Sequence, residues 1–146
     1  MFTTVVFYLR LNQGVYKMDV LIVEDDKVLS LLITKMVEKL DYNVVGTTAR
    51  GSEAIEMAKS LKPDLILMDI MLEDDIDGIA ATIEFQKDES VRSKVIYVTG
   101  NSDSYNKNRA KETIHEDYLI KPISFRDLKQ SIENIEFLDS THSVAR

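Results

Sequence analysis

The segment Pro63-Asp64-Leu65-Ile66-Leu67-Met68-Asp69 is entered from a proline, runs apolar from Leu65 to Met68 and stops on a carboxylate. Such a run is too short for a typical helix and reads as a strand buried on both faces of a sheet. Its last residue then sits at the carboxyl edge of the sheet, where open α/β folds place their ligand sites. A second run, Val20-Leu21-Ile22-Val23, ends the same way on Glu24-Asp25-Asp26. Parallel neighbours lie about 4.8 Å apart, so the acidic tips of two such strands converge on one crevice. Two further apolar runs end on Thr99 and Lys121.

The stretches between these runs have helical spacing. Lys27 to Leu40 carries Leu29, Leu32, Ile33, Met36, Val37 and Leu40 on a 3.6-residue period, and Asp25 or Asp26 can cap its start. Asn43 to Thr47 reads as a short strand. Gly51 to Leu61 reads as a helix with Ala54, Ile55, Ala58 and Leu61 inward, stopped by Pro63. An acid-dense loop follows Asp69, and Gly78 to Gln86 can form a short helix burying Ile79 and Ile83. Lys94 to Val98 is the next strand. Ser102 to Glu112 is polar nearly throughout, so a helix there is weakly anchored. Tyr118 to Ile120 is a short last strand, and Ser124, with Asp127 three residues on, opens a helix that aligns Phe125, Leu128, Ile132 and Ile135.

Strands alternating with helices at this length predict a doubly wound α/β fold, a five-stranded parallel sheet in a three-layer α/β/α sandwich. The flavodoxin-like order 2-1-3-4-5 puts the switch point between the first and third strands, where Glu24, Asp25 and Asp69 lie. Residues 1–17, with the strand-like Thr3 to Leu9, are read as a dispensable N-terminal extension, the alternatives being an extra strand or an interaction arm. Residues 18–137 form the domain and 138–146 a polar, frayed tail. Too few residues follow the last helix for a separate output domain, so the output is expected to be a protein contact.

With 25 acidic against 18 basic side chains the net charge is −7, which argues against nucleic acid and anionic membrane surfaces as partners. The absence of cysteine excludes disulfides, thiolate metal sites and cysteine nucleophiles. No apolar stretch is long enough for a membrane span, so none is expected to insert.

Carboxylates crowded at one point repel unless a cation neutralises them. Hard oxygen ligands with room for water select Mg²⁺, with Asp25 and Asp69 as direct ligands and Glu24 acting through water. A carboxylate beside Mg²⁺ can also attack phosphorus and form an aspartyl phosphate. The transferred group needs positive charge and donors around its oxygens, and Lys121 and Thr99 supply them from their own strand ends.

From about Asp19 to Ile135 these residues resemble the receiver domain of two-component response regulators. Val20 to Asp25 is similar to that family's first strand and acidic pair, and Asp64 to Asp69 to its phosphoacceptor strand. Val95 to Thr99 matches its Thr/Ser strand, and Tyr118 to Pro122 its Lys-Pro strand. The resemblance implies Asp69 as phosphoacceptor, with Glu24, Asp25 and the Met71 backbone carbonyl serving Mg²⁺. It implies Thr99 and Lys121 on the phosphoryl oxygens and Tyr118 as an aromatic switch. A histidine kinase or histidine phosphotransfer protein is the implied donor and a downstream protein the target, in the cytoplasm. The chain is then a phosphoacceptor and not an enzyme acting on other molecules. Two departures bear on the Met71 carbonyl and on the rate of phosphoryl loss. Glu73 stands where the family usually has proline, and the loop from Asp69 to Gly78 is one residue longer than its commonest form.

Other readings fit less well. A receiver-like module that works without phosphorylation would usually lack the acceptor or the lysine, and both are present. A haloacid-dehalogenase-type phosphatase wants a second acid two residues after the nucleophile, where Met71 stands. A dinucleotide-binding domain wants a Gly-rich turn in place of Glu24-Asp25-Asp26. Glu73, Asp74, Asp75 and Asp77 read as a solvated loop with at most an outer role toward metal. His115 and His142 have no acids at metal-ligand spacing and read as surface residues.

Overall fold

The computed structural model describes residues 17–100 and 102–144, with side chains as far as Ile135. The strand-like stretch Thr3 to Leu9 lies outside the described residues. Five strands, β1 (Asp19–Val23), β2 (Asn43–Thr48), β3 (Leu65–Met68), β4 (Lys94–Thr99) and β5 (Asp117–Ile120), form one parallel sheet in the order β2-β1-β3-β4-β5. This is the expected flavodoxin-like order. The helices among the described residues are α1 (Lys27–Lys39), α2 (Gly51–Leu61), α3 (Gly78–Gln86), α4 (Ser104–Ala110) and α5 (Phe125–Val144). Met18–Ile123 is one compact unit that holds the sheet and α1 to α4, and α5 belongs to a second.

Continuous apolar strands form the centre because both faces of the sheet are covered. Every residue of β3 is buried, as are Val20 to Val23 of β1 and Val95 to Thr99 of β4. Tyr97 and Phe85 are the largest fully buried side chains, each contributing roughly 1.5–3 kcal/mol or more of transfer free energy. The edge strands are wetter, with β5 half-buried and β2 alternating between exposed and half-buried residues along most of its length.

Helix ends follow local chemistry. The Asp26 carboxylate caps α1, accepting from the N–H groups of Val28 and Leu29. At the end of α2, Lys62 adopts a left-handed conformation (φ 46°) immediately before Pro63. Ser124 and Asp127 exchange side-chain-to-backbone bonds of 3.1 and 3.2 Å, the expected capping box with Asp in place of Glu. The α5 backbone continues to Val144, through most of the segment read as a frayed tail.

On the helix faces burial is narrower than the apolar pattern. Of the α1 set, only Ile33 and Val37 are buried, and Leu32 is 49% exposed. In α2, Ala54 and Ala58 are buried, whereas Leu61 is 43% exposed. In α3, Ile79, Ala81, Thr82 and Phe85 are buried and Ile83 only partly. A periodic stripe wider than the contact it serves leaves its flanks in solvent. No helix of the described residues is long and apolar enough to cross a membrane.

Candidate functional site

The carboxyl tips of the strands are fixed to one another by main-chain bonds that continue beyond the ladders. Asp69 N–H donates to the Val23 carbonyl, Glu24 N–H to that of Thr48, and Lys121 N–H to that of Thr99, each at 2.9 Å. The residues that end four strands are thus held at one sheet edge by backbone alone. Glu24, Asp69 and Thr99 are buried there and Asp25 is exposed.

Glu24, Asp25 and Asp69 each present a carboxylate oxygen within 4.8 Å of the others. The Lys121 ammonium bridges two of them, donating to Asp69 Oδ2 at 2.7 Å and lying 2.5 Å from Glu24 Oε1. The approach to Glu24 has the distance of an ion pair but not the angle of a hydrogen bond, so Oε1 is a buried acceptor without a hydrogen-bond partner. Its other oxygen accepts from Asp26 N–H at 3.2 Å, and Asp69 Oδ1 accepts from Ile70 N–H at 2.7 Å. Burial pushes the Glu24 carboxyl up to about 7. The adjacent Lys121 ammonium opposes this, and the neighbouring Asp69 adds to it. Lys121 is also raised, because Asp69 and Glu24 together outweigh the cost of its burial.

This donor set consists of oxygens only, one of them buried and unsatisfied, at a span that suits one hard cation with water in its shell. The residues therefore fit Mg²⁺. The site can hold a divalent cation, present a carboxylate nucleophile at its side, and meet an incoming anion with the Lys121 ammonium. Met71 lies in the β3–α3 loop with 66% exposure. Tyr118 is half-buried on β5, its ring 5.8 Å from that of Tyr97 and with the Lys107 ammonium 6.0 Å from its centroid.

The acids after Asp69 correct one expectation. Asp74 and Asp77 are not merely solvated. The Asp74 carboxylate accepts from Gly51 N–H (2.7 Å), Ser52 N–H (3.0 Å) and the Ser52 hydroxyl (2.7 Å). Asp77 caps α3 through Ala80 N–H and takes a forked pair of bonds from Arg109 at 2.7 and 3.2 Å. Both pairings cross more than twenty residues of sequence, so no local pattern announces them. The sequence signal for Asp77 was its place directly before the glycine that opens α3.

Fold and site together define a phosphoacceptor-type signalling domain, and similarity to known proteins agrees. Residues 20–133 match the family described as the response regulator receiver domain, and the chain belongs to it. The response regulator protein VraR of Staphylococcus aureus is 36% identical over 114 residues, covering 77% of this chain and 54% of that protein. The chain thus spans about half the length of the curated relatives it matches. Among solved structures, the signal receiver domain of a modulated diguanylate cyclase from Desulfovibrio desulfuricans is 31% identical with a TM-score of 0.78, over 87% of this chain and 99% of that one. The receiver domain of a sensor histidine kinase from Pseudomonas aeruginosa, which has a magnesium ion coordinated in its active-site cleft, is 30% identical with a TM-score of 0.73, over 82% and 97% of the two chains.

Proposed function

We propose that this receiver accepts a phosphoryl group on Asp69 from a histidine kinase or histidine phosphotransfer protein, and that the phosphorylated form acts through a protein contact. The observation that carries the reading is the Lys121 ammonium, 2.7 Å from Asp69 Oδ2 and shared with the buried Glu24. Its pairing with the two carboxylates holds a positive charge where an anion arriving at Asp69 would meet it.

Mg²⁺ would be held by Asp25, Asp69 and the Met71 carbonyl, with Glu24 through water, and would supply positive charge to the phosphoryl oxygens. An Asp69 carboxylate oxygen attacks phosphorus with its lone pair, and the donor's leaving atom departs with the electrons of the broken bond. Lys121 transfers its hydrogen bond from the carboxylate to a phosphoryl oxygen, and the Thr99 hydroxyl donates to another. No proton needs to be stored on Asp69 in this step. The chain acts on its own carboxylate and not as an enzyme on a second molecule.

A protein donor is supported by the exposed apolar side chains of Val28, Leu31 and Leu32 on α1, the helix that starts beside Glu24 and Asp25. The net charge of −7 supports a protein target over nucleic acid. The test is intact mass after incubation with acetyl phosphate and Mg²⁺. Wild type should gain one phosphoryl group in an acid-labile linkage. Asp69→Asn should gain none while keeping its fold, and a label that persists in it would contradict the assignment.

A further inference from the structure

The β3–α3 loop contains the carbonyl assigned to Mg²⁺, yet Met71 and Leu72 have no side chain that could fix them by hydrogen bonding. The chain on either side of them is fixed. Before them, Ile70 is buried and its carbonyl accepts from Gly78 N–H at 2.8 Å. After them, Glu73 N–H donates to the Ala49 carbonyl at 2.9 Å, a bond that proline could not make. The next residue, Asp74, makes its three bonds to Gly51 and Ser52. Arg50, at the cap position of α2, contributes no side-chain hydrogen bond, so the first turn of α2 is capped from the loop. The loop backbone also lies directly on that turn, because a Cβ on Gly51 would fall on the Ile76 carbonyl.

We propose that Asp74 is a positioning residue for the metal site, holding the Met71–Leu72 segment in place by tying the loop to the first turn of α2. The inference rests on the Mg²⁺ reading given above. Its physical basis is pre-organisation. Met71 and Leu72 span the short gap between Ile70 and the anchor formed by Glu73 and Asp74, so they have few conformations, and weakening that anchor by removing the Asp74 bonds gives the carbonyl more.

The competing account is that Asp74 only stabilises α2. Titration calorimetry of Mg²⁺ binding, with Tm measured alongside, separates the two. Asp74→Ala should weaken Mg²⁺ about tenfold, the lower end of the loss seen when groups that orient metal ligands are removed. Arg50 has the extended backbone of a cap residue (φ −125°, ψ 136°), so Arg50→Ser can restore a local cap. In Asp74→Ala/Arg50→Ser the Tm should recover while Mg²⁺ affinity stays low. Ser52→Ala, which removes one of the three bonds and leaves the backbone donors, should weaken Mg²⁺ about threefold even if Asp74→Ala fails to fold. Wild-type affinity in Asp74→Ala or in Ser52→Ala, or affinity that returns together with Tm in the double variant, would overturn the inference and leave the metal reading standing. A wild-type protein that binds no Mg²⁺, or binds it undiminished after Asp25→Ala, would overturn both.

Discussion

Gly78 stands where the chain turns back after Asp69, and the Asp69 carbonyl oxygen occupies the place a Cβ would take. Gly78→Ala should therefore cost about 3 kcal/mol of unfolding free energy, because the obstructing atom is backbone and cannot swing aside. Gly100, beside Thr99, has nothing within 4 Å of an added Cβ, and Gly100→Ala should stay within about 0.5 kcal/mol. Urea unfolding of the two variants checks both values. Asp74 gives a pH dependence. The Ser52 hydroxyl, joined by the backbone donors of Ser52 and Gly51, lowers its carboxyl from 3.8 to about 2 against the opposing effect of burial, which is second in size only to the hydroxyl bond. Its stabilising contribution is full above the ordinary value near 3.8 and vanishes as pH falls through about 2. Thermal melts of Asp74→Asn should show a shallower loss of stability between pH 4 and pH 2 than wild type, and equal slopes would contradict the bonding. Asp69, Asp25 and Lys121 were legible in the sequence because each ends an apolar run, so strand placement is also site placement. Asp74 was not, since its partner Ser52 is 22 residues away and nothing local marks the pairing.

The strands were the most legible elements, and α3 begins and ends where its sequence pattern does. Burial on both faces writes a strand as an unbroken apolar run, and glycine or proline marks many of the boundaries. Helix faces were harder to read, as Leu32 of α1 shows, because periodicity gives a stripe but not the width of its contact. Helix α4 is the least anchored element. Ala110 is its one buried residue, and its hold on the unit is largely polar. Arg109 reaches Asp77, and in the segment after the helix Thr113 meets the Tyr97 hydroxyl at 2.9 Å and Ile114 exchanges two bonds with the Gln86 side chain. Arg109→Ala should cost only about 1 kcal/mol, because solvent reaches the Arg109–Asp77 pair and screens it. Amide hydrogen exchange in Ser104–Ala110 should nevertheless rise several-fold relative to β3, since a marginal element opens locally when one tie is cut. Unchanged exchange would mean that the pair does not hold the helix.

At the scale of the molecule, the proposed signal must travel from Asp69 to a distant face. A phosphoryl group there would draw in Thr99 and Lys121 from the ends of the last two strands, and Tyr118, three residues before Lys121, can follow. One or two charge-assisted hydrogen bonds, about 1.5–3 kcal/mol each, are enough to invert a population separated by a few kcal/mol. Beryllofluoride with Mg²⁺ should therefore shift amide resonances across Ser104–Ile120 in wild type, whereas Thr99→Ala should confine the shifts to loops beside Asp69. Undiminished distant shifts in Thr99→Ala would exclude Thr99 from the relay. The pocket's charge balance limits how such a signal can be read. Three carboxyl groups face one ammonium, a bound divalent cation would offset their charge, and phosphorylation would replace a monoanion by a near-dianion. The total moves by about one unit on a chain of net charge −7, and at physiological salt that change is screened within about 8 Å. A partner docked across the molecule would feel almost no change in long-range field, so it must recognise the active form by contour.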